Sequence, residues 1–267
     1  VLQARVVEPL LLRTNNPGPL TGDGNNTYLL IGDAGTAALI DAGQGEAAHL
    51  ATLCDALTRR GATLGPVLVT HAHADHASGA RALHDAHPDA TFHKWPWPAE
   101  DARFPVPWQP MRHGDRLSVD GEWLVAIHTP GHSPDHLSVW HEASRTAFVG
   151  DLVVAIGSVA IHASRGGDLV EYLASLEHLR ALAPARLLPA HGAPIDDPEI
   201  VLTRSIAHRL AREEQVLQRL TRGGATVEGI VESIYDGLRP ALLPAAHDTV
   251  RAHLEKLRRE GRASADG

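Results

Sequence analysis

The stretch that most constrains this chain is Pro66–His76, which reads PVLVTHAHADH. Val67, Leu68 and Val69 form an apolar run long enough for one buried strand. The run stops at Thr70 and gives way to His71, His73, Asp75 and His76. Strand ends are where α/β proteins place their chemistry. His71 and His73 lie two apart, so in extended chain they point the same way and can share one metal ion. Asp75 and His76 follow the turn and face another direction, which suggests two adjacent metals. Imidazole and carboxylate together suit Zn²⁺, and such a donor set also accepts Mn or Fe.

The chain has 18 His, so a stray histidine carries little information. His49, His178 and His253 lie on helical patterns and read as surface or core filler. Four ligand-type residues within six positions at a strand end are a different matter. Single Cys54 excludes an internal disulfide. It shares helical spacing with Leu50, Leu53 and Leu57 and is expected to pack in the core. One cysteine and no visible signal peptide lead to an expected location in the cytoplasm or an organelle matrix, although a chain starting at Val1 leaves room for a removed segment. No apolar run approaches a membrane span. Residues 1–197 carry 13 Lys+Arg against 22 Asp+Glu, which does not look like a general nucleic-acid binder. Residues 198–267 carry 11 against 10 and leave that option open there.

In chain order, 1–20 lead into the turn-rich Asn15–Pro19. Strands are expected at Thr27–Ile31 and Thr36–Ile40, then a helix over Glu46–Arg60 closed by Gly61. Asp41 ends the second strand, either as a partner that orients the histidines or as a carboxylate that caps the turn. After the Pro66–Thr70 strand a helix is expected from about Asp75 to Ala86, then a strand at Ala90–His93. Lys94–Pro110 carries five Pro and three Trp and reads as a long stiff loop. Its Trp95, Trp97 and Trp108 either line a substrate pocket, stack on bases or cover the edge of the core. Strands follow at Trp123–Ile127, Leu137–Trp140, Thr146–Val149 and Arg186–Leu188. His132, Asp151 and His191 each sit just past an apolar strand, as ligands do. His136 is a candidate partner to a ligand, while His128 and His141 read as bystanders. Residues 152–167, including His162, form a candidate pocket wall. Asp168 and Glu171 form a capping box for a helix. Asp197-Pro198 starts another, which runs to Arg222; Gly223-Gly224, Thr226–Tyr235 and Ala245–Glu260 complete a helical tail. The expected division is 1–197 and 198–267.

HAHADH, then PGH, then GD, then AHG in this order resembles the metallo-β-lactamase superfamily. The resemblance implies an αββα sandwich of two mixed sheets with helices outside. It implies that His71, His73 and His132 bind one metal, that Asp75, His76 and His191 bind a second, and that Asp151 bridges them. It further implies two zinc ions, a metal-bridging hydroxide as nucleophile, and Asp75 or a metal-bound water managing the leaving-group proton. Asn15–Leu20, Gly24–Leu29, Ile40–Gly43, His208-Arg209, Glu213–Gln215 and Leu254–Leu257 are similar to the β-lactamase-like protein 2 family. That likeness covers nearly the whole chain and implies a winged-helix-like tail. The chain as given ends at Ser264–Gly267, so the wing hairpin is expected to be short or missing.

Family members include a mitochondrial single-strand endoribonuclease and fungal thioesterases acting on polyketide acyl carriers. Glyoxalase II shares the metal motif but has a different tail. Asp151 speaks against antibiotic hydrolysis, whose enzymes generally lack an aspartate bridging the metals. His73 speaks against the di-iron oxygen-reducing branch, which tends to use a carboxylate there. The leading expectation is a hydrolase of a small ester, thioester or related acyl compound, with no membrane partner. The alternative is a metal-dependent endoribonuclease on single-stranded RNA, whose activity would fall steeply with salt. A β-lactamase ranks lower. So does a non-catalytic module with structural metal, since structural zinc sites are closed and usually rich in Cys.

Overall fold

The computed structural model describes residues 8–221 and 226–263. Among the described residues, eleven strands, numbered in chain order, form two sheets. The first holds β1 (Leu10–Arg13), β2 (Asn26–Ile31), β3 (Thr36–Ile40), β4 (Thr63–Leu68), β5 (Thr91–Lys94) and β6 (Trp108–Pro110), adjacent in that order. Its first three strands are antiparallel and the rest run parallel. The second sheet has the order β11 (Arg186–Pro189), β10 (Thr146–Gly150), β9 (Leu137–His141), β8 (Glu122–His128) and β7 (Arg116–Val119). Only β10 and β11 pair in parallel there.

Period-two alternation explains the layering. On β2, Leu29 points to the outer core of the first sheet, while Tyr28 and Leu30 point to the core between the sheets. On β10, Phe148 enters that central core, while Ala147 and Val149 face the outer side of the second sheet. Helices cover both outer faces. They include α1 (Ala47–Arg60), α2 (Ala74–Ala77), α3 (Ala80–Ala86) and α4 (Pro98–Asp101) on the first side. On the second side lie α5 (Leu169–Ala181) and the start of α6 (Pro198–Thr221). The result is the expected αββα sandwich.

Several local expectations need correction. The helix expected from Asp75 to Ala86 is two helices, because the Gly79 N–H leaves the helix and donates to the Gly43 carbonyl at 2.9 Å; a Cβ at Gly79 would stand 2.2 Å from the Ala42 carbonyl oxygen, so glycine is required there. Lys94–Pro110 is not a plain loop. It contains α4, with Pro98 at its first position, and edge strand β6, where Pro110 is tolerated because one side has no strand partner. Strands β1 and β7 escape the sequence reading, being four residues each and half exposed. Cys54 is exposed: the buried face of α1 is His49, Leu53 and Leu57, and Cys54 lies about 100° round the helix from Leu53.

The tail adds α7 (Val227–Ile234) and α8 (Leu243–Arg259), which build a core of their own from Val216, Ile230, Val231, Val250, Leu254 and Leu257. Helix α6 serves two cores: Val201 and Leu202 pack on the second sheet's side, and Val216 packs in the tail. Ala252 of α8 also joins the second-sheet core. Between 226 and 263 the described residues form helices and turns with no strand. The Gly223-Gly224 break and the Ser264–Gly267 end lie outside the described residues. Among the described residues, no helix is long and apolar enough to cross a membrane.

Candidate metal centre

The chain crosses the same end of the sandwich four times. After β4 it delivers His71, His73, Asp75 and His76; after β8, His132; after β10, Asp151; after β11, His191. These seven residues come together as two donor groups. His71, His73, His132 and Asp151 form one; Asp75, His76 and His191 form the other, with the donor atoms of each within 4.8 Å of one another. His73 Nδ1 lies 2.8 Å from His71 Nε2 and 3.0 Å from His132 Nε2. Asp151 reaches both groups. Its Oδ2 is 3.5 Å from His132 Nε2, while Oδ1 is 3.5 Å from His76 Nε2 and 3.2 Å from His191 Nε2. Asp75 Oδ2 is 3.4 Å from His191 Nε2.

Surrounding groups fix which ring nitrogen faces inward. His132 Nδ1 is 2.8 Å from the Ala160 carbonyl oxygen, so its Nε2 turns to the centre. His76 Nδ1 is 2.8 Å from Asp41 Oδ2. Asp41 also accepts hydrogen bonds from the backbone N–H and hydroxyl of Thr70, at 2.8 and 3.1 Å. It thus both orients a histidine and caps the turn. His136 is buried, and its Nε2 accepts from the Asp151 backbone N–H at 3.1 Å. It touches the backbone of a donor and is not in either donor group.

Electrostatics sort the groups. Burial, reinforced by neighbouring imidazoles, holds His71 and His73 well below the usual histidine range, and burial pulls His132 down too. Neutral imidazoles are ready to bind metal. Burial opposes ionisation of Asp151 and Asp75, but their histidine neighbours outweigh it and keep both as carboxylates. His76 and His191 move the other way. Burial would lower them, yet Asp41, Asp75 and Asp151 raise His76, and chiefly Asp151 raises His191 to about 9.

The residues fit a bound metal cation. His76 Nε2 and Asp151 Oδ1 are buried without hydrogen-bond partners and face one another. Leaving such atoms unsatisfied costs about 1–3 kcal/mol each, and a cation between them removes that cost. The donor set is imidazole and carboxylate, suited to Zn, Mn or Fe.

A cleft of about 640 Å³ opens over the centre. Its walls come from Val154 to Arg165, from Ala241 to Asp248 in the tail, and from Arg103. His162 lines it, in the wall expected from the sequence. The pocket-lining reading of Trp95, Trp97 and Trp108 is corrected: Trp97 and Trp108 pack on the outer core of the first sheet, Trp95 on the central core and flat against His128 at 3.6 Å. Their segment reaches the cleft through Arg103, while Trp108 lies on β6, which pairs with β5.

Other supporting residues escape the sequence reading. Asn25 Nδ2 donates to Asp75 Oδ2 at 3.1 Å. Asn26 donates to the carbonyls of Pro189 and Gly192, bracketing His191. Asp135 Oδ2 accepts from the Ala72 N–H at 2.9 Å and pairs with buried Lys94 at 3.1 Å, bracing the loop between His71 and His73. The two asparagines stand in a turn-like run that gives no sign of where it docks, and Lys94 opens what reads as a loop.

Residues 20–191 match the family model described as metallo-beta-lactamase superfamily, and 226–267 match the beta-lactamase associated winged helix domain. The chain is 32% identical over 259 residues to a Drosophila melanogaster protein named beta-lactamase-like protein 2 homolog, covering 92% of this chain and 86% of that one. It is 32% identical over 238 residues to an atrochrysone carboxyl ACP thioesterase of Passalora fulva, covering 85% and 68%. A crystal structure of a metallo-beta-lactamase family protein from Thermus thermophilus superposes with a TM-score of 0.77 at 25% identity, covering 95% and 94%. Two donor groups sharing one aspartate, on an αββα sandwich followed by a helical tail, are thus those of a member of the metallo-beta-lactamase superfamily that carries the associated winged-helix domain.

Proposed function

We propose that the protein is a binuclear metal-dependent hydrolase of a small ester, thioester or related acyl compound. The observation that carries this reading is Asp151, which offers one oxygen to each donor group. Thioesterase activity in a relative's name supports the substrate class. So does a cleft whose walls include Val154, Val159, Ala241 and Pro244 beside the polar centre.

His71, His73 and His132 would hold one ion, and Asp75, His76 and His191 the other, with Asp151 between. Zinc is the first expectation, and Mn or Fe suit the same donors. Bound there, the ions supply Lewis acidity and bring the pKa of water down to around 7. Asp151 and Asp41 fix the separation and orientation of the two donor groups. Asp75, kept as a carboxylate and steadied at Oδ2 by Asn25, would help hold the second ion, and its other oxygen would be the one to take up the leaving-group proton. The apolar walls exclude water from the acyl chain.

Single-strand endoribonuclease activity is the second reading, favoured by Arg103 and Arg165 at the cleft. A single assay separates the two: metal-loaded protein and a His71→Ala control on single-stranded RNA and on an ester, thioester and lactam panel. Thioester or ester turnover that disappears in the control is the expected result. RNA cleavage that collapses with rising salt supports the second reading. Full activity in His71→Ala would sink the mechanism.

A further inference from the structure

Beside the cleft lies a second, smaller cavity of about 70 Å³. Val154, Ser158 and Val159 line both, so the two share this stretch of wall. Helix α6 forms the other side of the small cavity with Arg204, Ser205, His208 and Arg209. Positions 204 and 208, and likewise 205 and 209, lie four apart and are neighbours on the helix surface. Arg209 is buried, donates to the Val159 carbonyl and sits over the ring of Tyr172 on α5 at 5.1 Å. Arg204 donates to the Ala155 carbonyl at 2.6 Å. Residues 154–160 make no backbone–backbone hydrogen bond among the described residues, so these two arginines tie the wall to the helix.

The small cavity has no acidic residue in its lining. Among the described residues neither Arg204 nor Arg209 has a carboxylate partner, whereas Arg180, Arg186, Arg251, Arg259 and Arg262 each pair with one. A guanidinium carries five N–H donors, and a carbonyl and a ring leave most of them and the charge unanswered. Burying a charge is unfavourable unless an opposite charge reaches it. The local field is positive enough to act on His208: burial first, then the charges of Arg209, Arg212 and Arg204, hold its imidazole below the usual histidine range. Donors also converge from two sides, the arginines and Ser205 on α6 and Ser158 on the wall. A tetrahedral oxyanion accepts from several directions, while a planar carboxylate accepts mainly in one plane. Size agrees, since such a volume has room for about five water-sized groups, as many as the heavy atoms of phosphate or sulfate.

We propose that this cavity binds a tetrahedral oxyanion, either free inorganic phosphate or the phosphate group of a monoester, between Arg204, Arg209 and Ser158. The anion answers the buried charge of Arg209 through charge-assisted hydrogen bonds and joins the wall to α6 from both sides. Its occupancy therefore stiffens a wall that the larger cleft shares. None of the seven metal-donor residues lines the small cavity, so the site is distinct from the metal centre. It stands whether or not the protein hydrolyses acyl compounds.

The test titrates inorganic phosphate into the metal-loaded full chain by calorimetry at constant ionic strength, with sulfate, acetate and chloride beside it. Phosphate and sulfate are expected to bind, and acetate and chloride to bind at least about 10-fold more weakly. Arg204→Gln, at an exposed position, should weaken phosphate by at least about 10-fold, the worth of one charge-assisted hydrogen bond. A metal centre can also take phosphate, so His71→Ala is titrated in parallel and should retain the binding that depends on Arg204. Amide hydrogen exchange gives a reading without any variant: residues 154–160 should gain protection when phosphate is added to wild type. Glycerol 3-phosphate separates the two sources. If it displaces phosphate in an Arg204-dependent way, the phosphate group of a larger molecule is the occupant; if only the free ion binds so, the free ion is. Equal binding of all four ions, or none of phosphate and sulfate, overturns the proposal. So does phosphate binding that is lost in His71→Ala and kept in Arg204→Gln, or protection that appears only outside residues 154–160.

Discussion

Asp41 is a non-glycine residue at φ 63°, in the left-handed region, with both carboxylate oxygens engaged by Thr70 and His76. Such a conformation is tolerated best by Asn and Asp. Asp41→Asn therefore keeps the turn and removes the charge that orients His76. Metal affinity measured by chelator competition should fall about 10–100-fold; unchanged affinity would leave Asp41 only its turn-capping role. Lys94 makes a second residue-scale case. Its Nζ is buried against Asp135 and Asp101. Lys94→Met fills similar space but strands a buried carboxylate, and urea unfolding should show a loss of about 3–5 kcal/mol. A loss under about 1 kcal/mol would mean that Ser133 and the Ala72 N–H satisfy Asp135 by themselves. Neither residue advertises this in the sequence. Asp41 reads there as a partner or a cap, and Lys94 as one end of a loop, since their partners His76 and Asp135 lie far along the chain.

At the scale of elements, α8 packs its apolar face inward and carries His253 fully buried with both ring nitrogens unpaired. Burial first, then the charges of Arg209, Arg212 and Lys256, lower His253 to about 3. An unfolded histidine titrates near 6.5. Between these values the unfolded chain binds a proton that the folded chain refuses. The contribution is therefore complete above about pH 6.5 and is lost as pH falls toward about 3, by roughly 1.4 kcal/mol per pH unit. His253→Leu should flatten that part of the stability profile in denaturant titrations from pH 7 to 4. An unchanged slope would show that His253 finds water or a partner on protonation. The same helix is legible from its apolar spacing, but its histidine reads as filler, because periodicity gives the face of a residue and not the charges opposite it.

For the whole molecule, the shared helices matter most. Since α6 and α8 each contribute to both the second-sheet core and the tail core, the two are expected to unfold together. Leu257→Ala, a fully buried truncation in the tail, should cost about 2–5 kcal/mol and shift one common transition. Calorimetry that resolves a separate tail transition would show the two cores to be independent. The coupling also bears on function. Arg209 of α6 donates to the Val159 carbonyl, and Arg204 to the Ala155 carbonyl at 2.6 Å, so the tail helix braces the wall of the cleft.

By itself the sequence determined the candidate donor residues. Imidazoles and carboxylates at the ends of four apolar strands can be read locally, because strand length, alternation and the switch from apolar to ligand residues are short-range signals. His71, His73, Asp75, His76, His132, Asp151 and His191 needed no tertiary information to be named. Only the tertiary structure decided what surrounds them. The tryptophans pack on the two cores, Trp108 because β6 adds to a sheet edge, a pairing that a three-residue strand hardly signals. Asn25, Asp135 and Asp248 took up their positions because loops and helices far apart in the chain dock at one end of the sandwich. Such contacts depend on how elements pack, and packing leaves no periodic trace in the residues that make it.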